Sequence, residues 1–163
     1  MMGYLSIKNS QSGMSLVEVV LASTITSLVA IFVGVTVAQF ASVRADILNN
    51  TKKIYLAEEG YELIRLVRDG GWSAISSIPQ QTSYYIQVST TTLAVGLSPE
   101  IIDGKYLRSF RLLPLYRNIQ GVIVTSTTSG AITDTNGREL FIYVADDSST
   151  TTLRSLLMNF SAI

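Results

Sequence analysis

The sequence predicts an α+β fold, with one long N-terminal helix packed on a small, mainly antiparallel β-sheet. Three observations carry this. No charged residue occurs between Val19 and Val43. From Val43 the apolar residues fall at helical spacing along one stripe, and the pattern stops at Asp69-Gly70-Gly71. Residues 84–163 then break into short β-rich runs separated by Ser, Thr, Asn, Asp and Gly, the signature of strands joined by turns.

Taken in order, residues 1–13 (MMGYLSIKNSQSG) read as a short polar leader. Residues 14–43 form an apolar helix. A membrane-crossing helix needs about 20 apolar residues at ~1.5 Å each, and this run meets that length. Leu16–Phe40 is apolar all round, so it must be buried on every side, in lipid or in protein. Ser and Thr at 23, 24, 26, 27 and 36 permit close helix approach, and their hydroxyls can bond back to the backbone. Gly34 is the expected soft point. Residues 44–72 continue as an amphipathic helix. Ile47, Ile54, Ala57, Tyr61 and Ile64 make the stripe, Leu56, Leu63 and Val67 widen it, and Lys52, Glu58, Glu62, Arg65 and Asp69 lie off it. Such a helix lays one face on a sheet. Gly60 within it costs ~1 kcal/mol against Ala and marks a close contact with a neighbour. Glycine at 70 and 71 caps the helix, and Trp72 reads as a hinge packed on its end.

Residues 73–163 form the β-rich domain, beginning with a Ser/Gln-rich loop over 73–83 that contains Pro79. Strands are expected at Tyr84–Val88 and Leu93–Leu97, then at Tyr106–Leu113, closed by Pro114. Further strands are expected at Val122–Thr125, Leu140–Ala145 and Leu153–Phe160. Asp103-Gly104 and Asn136-Gly137 supply turns, the latter the strongest hairpin signal in the chain. Leu140–Ala145 is apolar on both faces, as a central strand is. The Ser/Thr clusters at 89–92, 125–129 and 148–152 read as exposed loops.

The start of the apolar helix carries the functional signal. Gly13-Met14-Ser15-Leu16-Val17-Glu18 places one carboxylate at its edge, at a cost of about 2.5–3.5 kcal/mol if it reached the bilayer centre. Cutting after Gly13 would leave an ammonium on Met14, with Glu18 one helical turn (~6 Å) away. This glycine, the glutamate after it, the apolar run and the short leader resemble the processing motif of type IV pilins and type II secretion pseudopilins. The resemblance implies that a membrane prepilin peptidase cuts after Gly13 and methylates the new N-terminus at Met14, and that Glu18 is needed for assembly. The run Tyr55–Arg65 also resembles the post-membrane helix of some prepilin-like proteins. The chain departs from the family in three ways. It has no cysteine to close a C-terminal disulfide loop. It has no helix-breaking proline in the apolar half, which favours a minor pilin or pseudopilin over a major subunit. Its leader carries only Lys8 and the initiator amine, with Arg44, Lys52 and Lys53 beyond the apolar run. By the positive-inside rule that bias opposes an N-inside orientation, which here follows from the cleavage motif.

Composition narrows the alternatives. The 163 residues carry 12 basic and 12 acidic side chains and a mean hydropathy of +0.35, leaving no strong field for nucleic acid or anionic lipid. With no His and no Cys, the usual zinc, haem and iron–sulfur ligands and the Ser-His and Cys-His pairs are excluded. No cofactor is expected. Asp146 and Asp147, followed by Ser148, Ser149 and Thr150, offer oxygen ligands, and some pseudopilins bind calcium in a comparable loop. The spacing does not follow an EF-hand, so a solvated turn is the better reading, as it is for Asp103 and Asp134. Scattered carboxylates without a nucleophile–base pair give no case for an enzyme.

The expectation is therefore a structural filament subunit. Its partners would be the peptidase, membrane lipid before assembly, and like subunits through the N-terminal helix. The precursor would sit in the cytoplasmic membrane with the β domain outside, and the mature subunit in a periplasmic or cell-surface filament. The alternative is a single-pass, membrane-anchored extracytoplasmic binding or scaffold domain that does not polymerise.

Overall fold

The computed structural model describes residues 15–88 and 93–160. The fold is α+β, with one long helix packed on an antiparallel sheet. The chain divides into two units between Asp46 and Ile47, and α1 (Leu16–Asp69) runs through both.

Within the first unit the described residues from Ser15 to Asp46 are all exposed, with Leu16, Phe32 and Phe40 more than 70% so. The expected back-bonding of the hydroxyls is present. Thr24, Thr26, Ser27 and Thr36 each donate to the carbonyl four residues earlier at 2.8 Å. Each hydroxyl is thus satisfied by its own helix, which is what lipid requires of a polar group. Gly34 lies in unbroken helix.

In the second unit α1 meets the sheet through Lys53, Leu56, Ala57, Gly60, Ile64 and Arg68. Of the expected stripe, Leu56, Ala57 and Ile64 are buried and Tyr61, Leu63 and Val67 pack against the core, whereas Ile47 and Ile54 are exposed. A Cβ on Gly60 would come within 3.1 Å of Arg108 Cδ and 3.3 Å of Ile142 Cγ2. The sheet approaches the helix closely at Gly60. The close contact at Gly60 is thus with the chain's own sheet.

Gly71, at φ +145°, is a conformation that glycine adopts without penalty. It redirects the chain into α2 (Trp72–Ser76), a short helix where a loop was expected. The fully buried Ile75 seats it in the core. Trp72 packs at the end of α1, and its Nε1–H donates to Thr135 O at 3.3 Å.

The strands are β1 (Ser83–Val88), β2 (Leu93–Gly96), β3 (Glu100–Ile102), β4 (Tyr106–Arg117), β5 (Ile123–Val124), β6 (Ile132–Ala145) and β7 (Thr150–Met158). The sheet order is β2-β1-β4-β6-β7, with β3 and β5 also paired to β4. Every pairing is antiparallel. Leu56, Ile64, Ile86, Phe110, Leu112, Leu140, Ile142, Val144 and Leu157 form the core between helix and sheet. Strand β6 is central, but its two faces differ. Leu140, Ile142 and Val144 are fully buried, whereas Phe141 and Tyr143 on the other face are half-buried. There the guanidinium of Arg154 lies 5.6 Å from the Phe141 ring and that of Arg111 lies 5.9 Å from Tyr143.

Two turn signals prove to be one bulge. Pro114 does not end its strand, and Asn136-Gly137 is not a hairpin turn; both lie inside long strands, β4 and β6. The register passes from Pro114↔Arg138 to Leu115↔Asp134, leaving 135–137 unpaired with β4. Proline cannot donate to the ladder and is tolerated at bulges. The flexible Asn-Gly pair sits where the opposing strand takes up the slack. Strand β7 also begins earlier than expected, at Thr150 within the supposed 148–152 loop. Strand β3, not foreseen, pairs across the Asp103-Gly104 turn.

Gly137 has no room for a side chain. A Cβ there would lie 2.6 Å from Leu115 Cδ2 and 3.0 Å from Asp134 Oδ2. Gly137→Ala is expected to destabilise the domain by about 1–3 kcal/mol through overpacking, measured by urea unfolding in detergent. An unchanged midpoint would show that Leu115 repacks freely.

Candidate functional site

The sequence places function at the helix start. Gly13 and Met14 lie outside the described residues. Glu18 is exposed in the first turn of α1. Ser15 O accepts from the N–H of Glu18 at 2.9 Å and of Val19 at 3.2 Å, so Ser15 stands at the N-cap. Ser15-Leu16-Val17-Glu18 then has the spacing of a capping box, a signal the sequence reading did not use. A carboxylate here also meets the positive end of the helix dipole, worth roughly 0.3–1 kcal/mol. Among the described residues Glu18 has no ion-pair partner.

Helix α1 is long and apolar enough to cross a membrane. The side chains of its apolar half are exposed from Ser15 to Asp46, and an apolar surface of that extent calls for an apolar partner.

The second cluster, missed by the sequence reading, ties the helix to the sheet. Lys53 Nζ lies 3.4 Å from Asp146 Oδ2, with both side chains 1% exposed. Lys53 also donates to Ser149 Oγ. Asn49 Nδ2 donates to Asp146 Oδ2 at 2.6 Å. Asn49 Oδ1 in turn accepts from Tyr106 Oη at 2.5 Å and Lys105 Nζ at 2.7 Å. Asp146 Oδ1 accepts from Ser148 Oγ at 2.7 Å and from the N–H groups of Ser148 and Ser149 at 3.0 and 2.8 Å. The Asp146 side chain is thus held by protein donors rather than solvated, as a plain turn residue would be. Its oxygens are occupied by protein donors, and no group of three or more acidic, His or Cys residues suited to a metal occurs among the described residues. The Ser148 hydroxyl and the Ser149 N–H, with Lys53, hold the Asp146 carboxyl far below the usual carboxylate range despite its burial. The sequence signal was faint: a lysine at helical spacing from Leu56, Ala57 and Gly60, on the face that must be apolar.

Arg108 and Asp134 are further ionic fixtures. The buried Arg108 Nη1 donates to Leu56 O at 3.2 Å and Glu59 Oε2 at 3.0 Å, so Glu59, though exposed, ties α1 to β4. Asp134 is not a plain turn residue. It lies in β6 and accepts from Arg117 Nε at 2.6 Å beside the bulge. Burial raises its pKa, but the Arg117 and Asn136 hydrogen bonds outweigh that and leave it lowered. Asp103 keeps its turn, at φ +54°, and pairs with Lys52 at 3.2 Å.

No protein-family model matches the chain, and neither the curated proteins nor the solved structures show a significant match to it.

Proposed function

We propose that this chain is a minor pilin or pseudopilin, a structural rather than catalytic subunit of a type IV pilus or type II secretion-like filament. The observation that carries the reading is Gly13-Met14…Glu18 in register with an apolar, uncharged helix. The continuity of that helix with one packed on an antiparallel sheet adds support. In this reading the chain enters the cytoplasmic membrane with its β domain outside, and prepilin peptidase removes residues 1–13 and methylates Met14. The apolar half then leaves lipid for a bundle of equivalent helices. That transfer exchanges one apolar environment for another, so specificity rests on close packing and polar pairs. Glu18 meets the Met14 ammonium of its own or a neighbouring subunit and sets the register of entry.

The test is the N-terminal residue of the membrane-extracted protein, read by intact-mass and peptide spectrometry. A chain beginning at Met14 with added methyl mass is the expected result. A chain still beginning at Met1 or Met2, in cells with active prepilin peptidase, would leave the non-polymerising anchored domain as the better account.

A further inference from the structure

Among the described residues, the long edge of the sheet is strand β7. It pairs there with β6 alone, over nine consecutive residues without a register shift. Two bonds at its ends set its polarity: Asp146 N–H donates to Ser149 O at 3.0 Å, and Asn159 N–H donates to Asn136 O at 2.9 Å. Bonded and non-bonded pairs alternate in an antiparallel ladder. The odd-numbered residues therefore bond to β6, and Thr150, Thr152, Arg154, Leu156 and Met158 turn their N–H and C=O groups outward. Edge strands are normally blunted by proline, lysine, a bulge or shortness. This one has none of these. Its single charge, Arg154, is paired with Glu139.

Beside this edge runs a groove of about 650 Å³. One wall is Leu153, Arg154 and Ser155 of β7, and the other is the α1 flank, with Tyr55, Tyr61 and the carboxylates of Glu58, Glu59 and Glu62. Glu59 and Glu62 are paired with Arg108 and Arg65 yet remain more than half exposed. Glu58 has no ion-pair partner among the described residues. A strand added to β7 would place alternate side chains against this acidic flank.

We infer that the β7 edge is a docking site for an extended segment of another protein that carries Lys or Arg at alternate positions, bound by strand addition. Charge decides against a second copy. Antiparallel β7–β7 pairing would bring two acidic flanks together on one face and oppose the two Arg154 side chains near the strand centre, and like charges directly opposite are unfavourable. The inference stands on the second unit, Ile47–Ile163, alone and does not depend on the filament reading.

The test uses the full chain in detergent, a synthetic peptide alternating lysine with valine, and a control alternating glutamate with valine. The basic peptide is expected to bind and to slow amide exchange at Thr152, Arg154 and Leu156, leaving the odd-numbered amides unchanged. Thr152→Pro removes an outward N–H without touching the β6 ladder. It should weaken binding about tenfold or more at unchanged Tm. Glu58→Lys, at an exposed site, should shift preference toward the acidic peptide. Absence of binding, equal binding of both peptides by the native chain, or indifference to both substitutions overturns the proposal. Protection of the same amides by self-association without peptide overturns it in favour of a second copy.

Discussion

Asp146→Asn is expected to lower the Tm of the detergent-solubilised chain by on the order of 10 °C. The substitution preserves shape but leaves the Lys53 ammonium, 1% exposed, without its counter-charge. Lys53→Met should cost less, because Asp146 keeps its bonds from Ser148 and Ser149. The double variant should recover part of the loss from Asp146→Asn, since removing both charges of a buried pair is far milder than removing one. Additive losses in this cycle would show that the two groups are not energetically coupled. The bonds that Asp146 accepts, chiefly from Ser148 and Ser149 and also from Lys53, are expected to make the domain acid-labile. The folded Asp146 carboxyl lies below its ordinary value. Its contribution is complete above the unfolded carboxylate pKa of about 3.9 and is lost progressively as pH falls below that value. Melting curves from pH 7 to pH 2 should show a steep fall beginning near pH 4, flattened in the double variant.

Glu18→Ala, on the filament reading, is expected to leave peptidase cleavage largely intact and to abolish incorporation into filaments. A buried, uncompensated charge costs several kcal/mol, so a subunit entering without the Glu18–Met14 pair would leave an ammonium stranded among apolar helices. The capping-box spacing of Ser15 and Glu18 supplies a competing explanation, and Glu18→Gln separates the two. Glutamine serves a capping box as glutamate does but carries no charge. Both variants should be cleaved and neither should assemble. Restored assembly in Glu18→Gln would assign the residue to helix capping, and normal assembly of Glu18→Ala would refute the pairing role. Sheared-filament immunoblots beside the mass spectrum of the membrane-retained chain provide both measurements.

The long helix, its end at Asp69 and most strand positions were legible in the sequence because they rest on periodicity and on local turn chemistry. What was not legible depends on partners far along the chain. Pro114 and Asn136-Gly137 are sound local signals for interrupted pairing, but their meaning changed because they face each other across one ladder. Each reads alone as an end, and together they make a bulge within two long strands. Lys53 is a charge on the helix until Asp146 and Ser149 arrive from the β6–β7 turn to neutralise it. The stripe on α1 was legible from Leu56 onward, where Ala57 and Ile64 are buried, but not its start, because Ile47 and Ile54 keep the apolar spacing yet are exposed. Of the candidate site, Glu18 was visible as a lone carboxylate. Its place in a capped first turn needed only the three residues before it, and the edge position of β7 needed the strand order.

The Lys53–Asp146 cluster also has a mechanical consequence. Asn49, Lys52 and Lys53 are the first described residues along α1 with polar partners in the β domain, and the apolar contacts of Leu56, Ala57 and Ile64 come after them. Tension applied along the helix from its N-terminal side therefore reaches the β domain first through hydrogen bonds and an ion pair shielded from water. These resist sliding in a definite direction and break over short distances, whereas apolar contacts behind them can slip and re-form. A load that entered along α1 from that side would meet this polar cluster before it met the apolar packing.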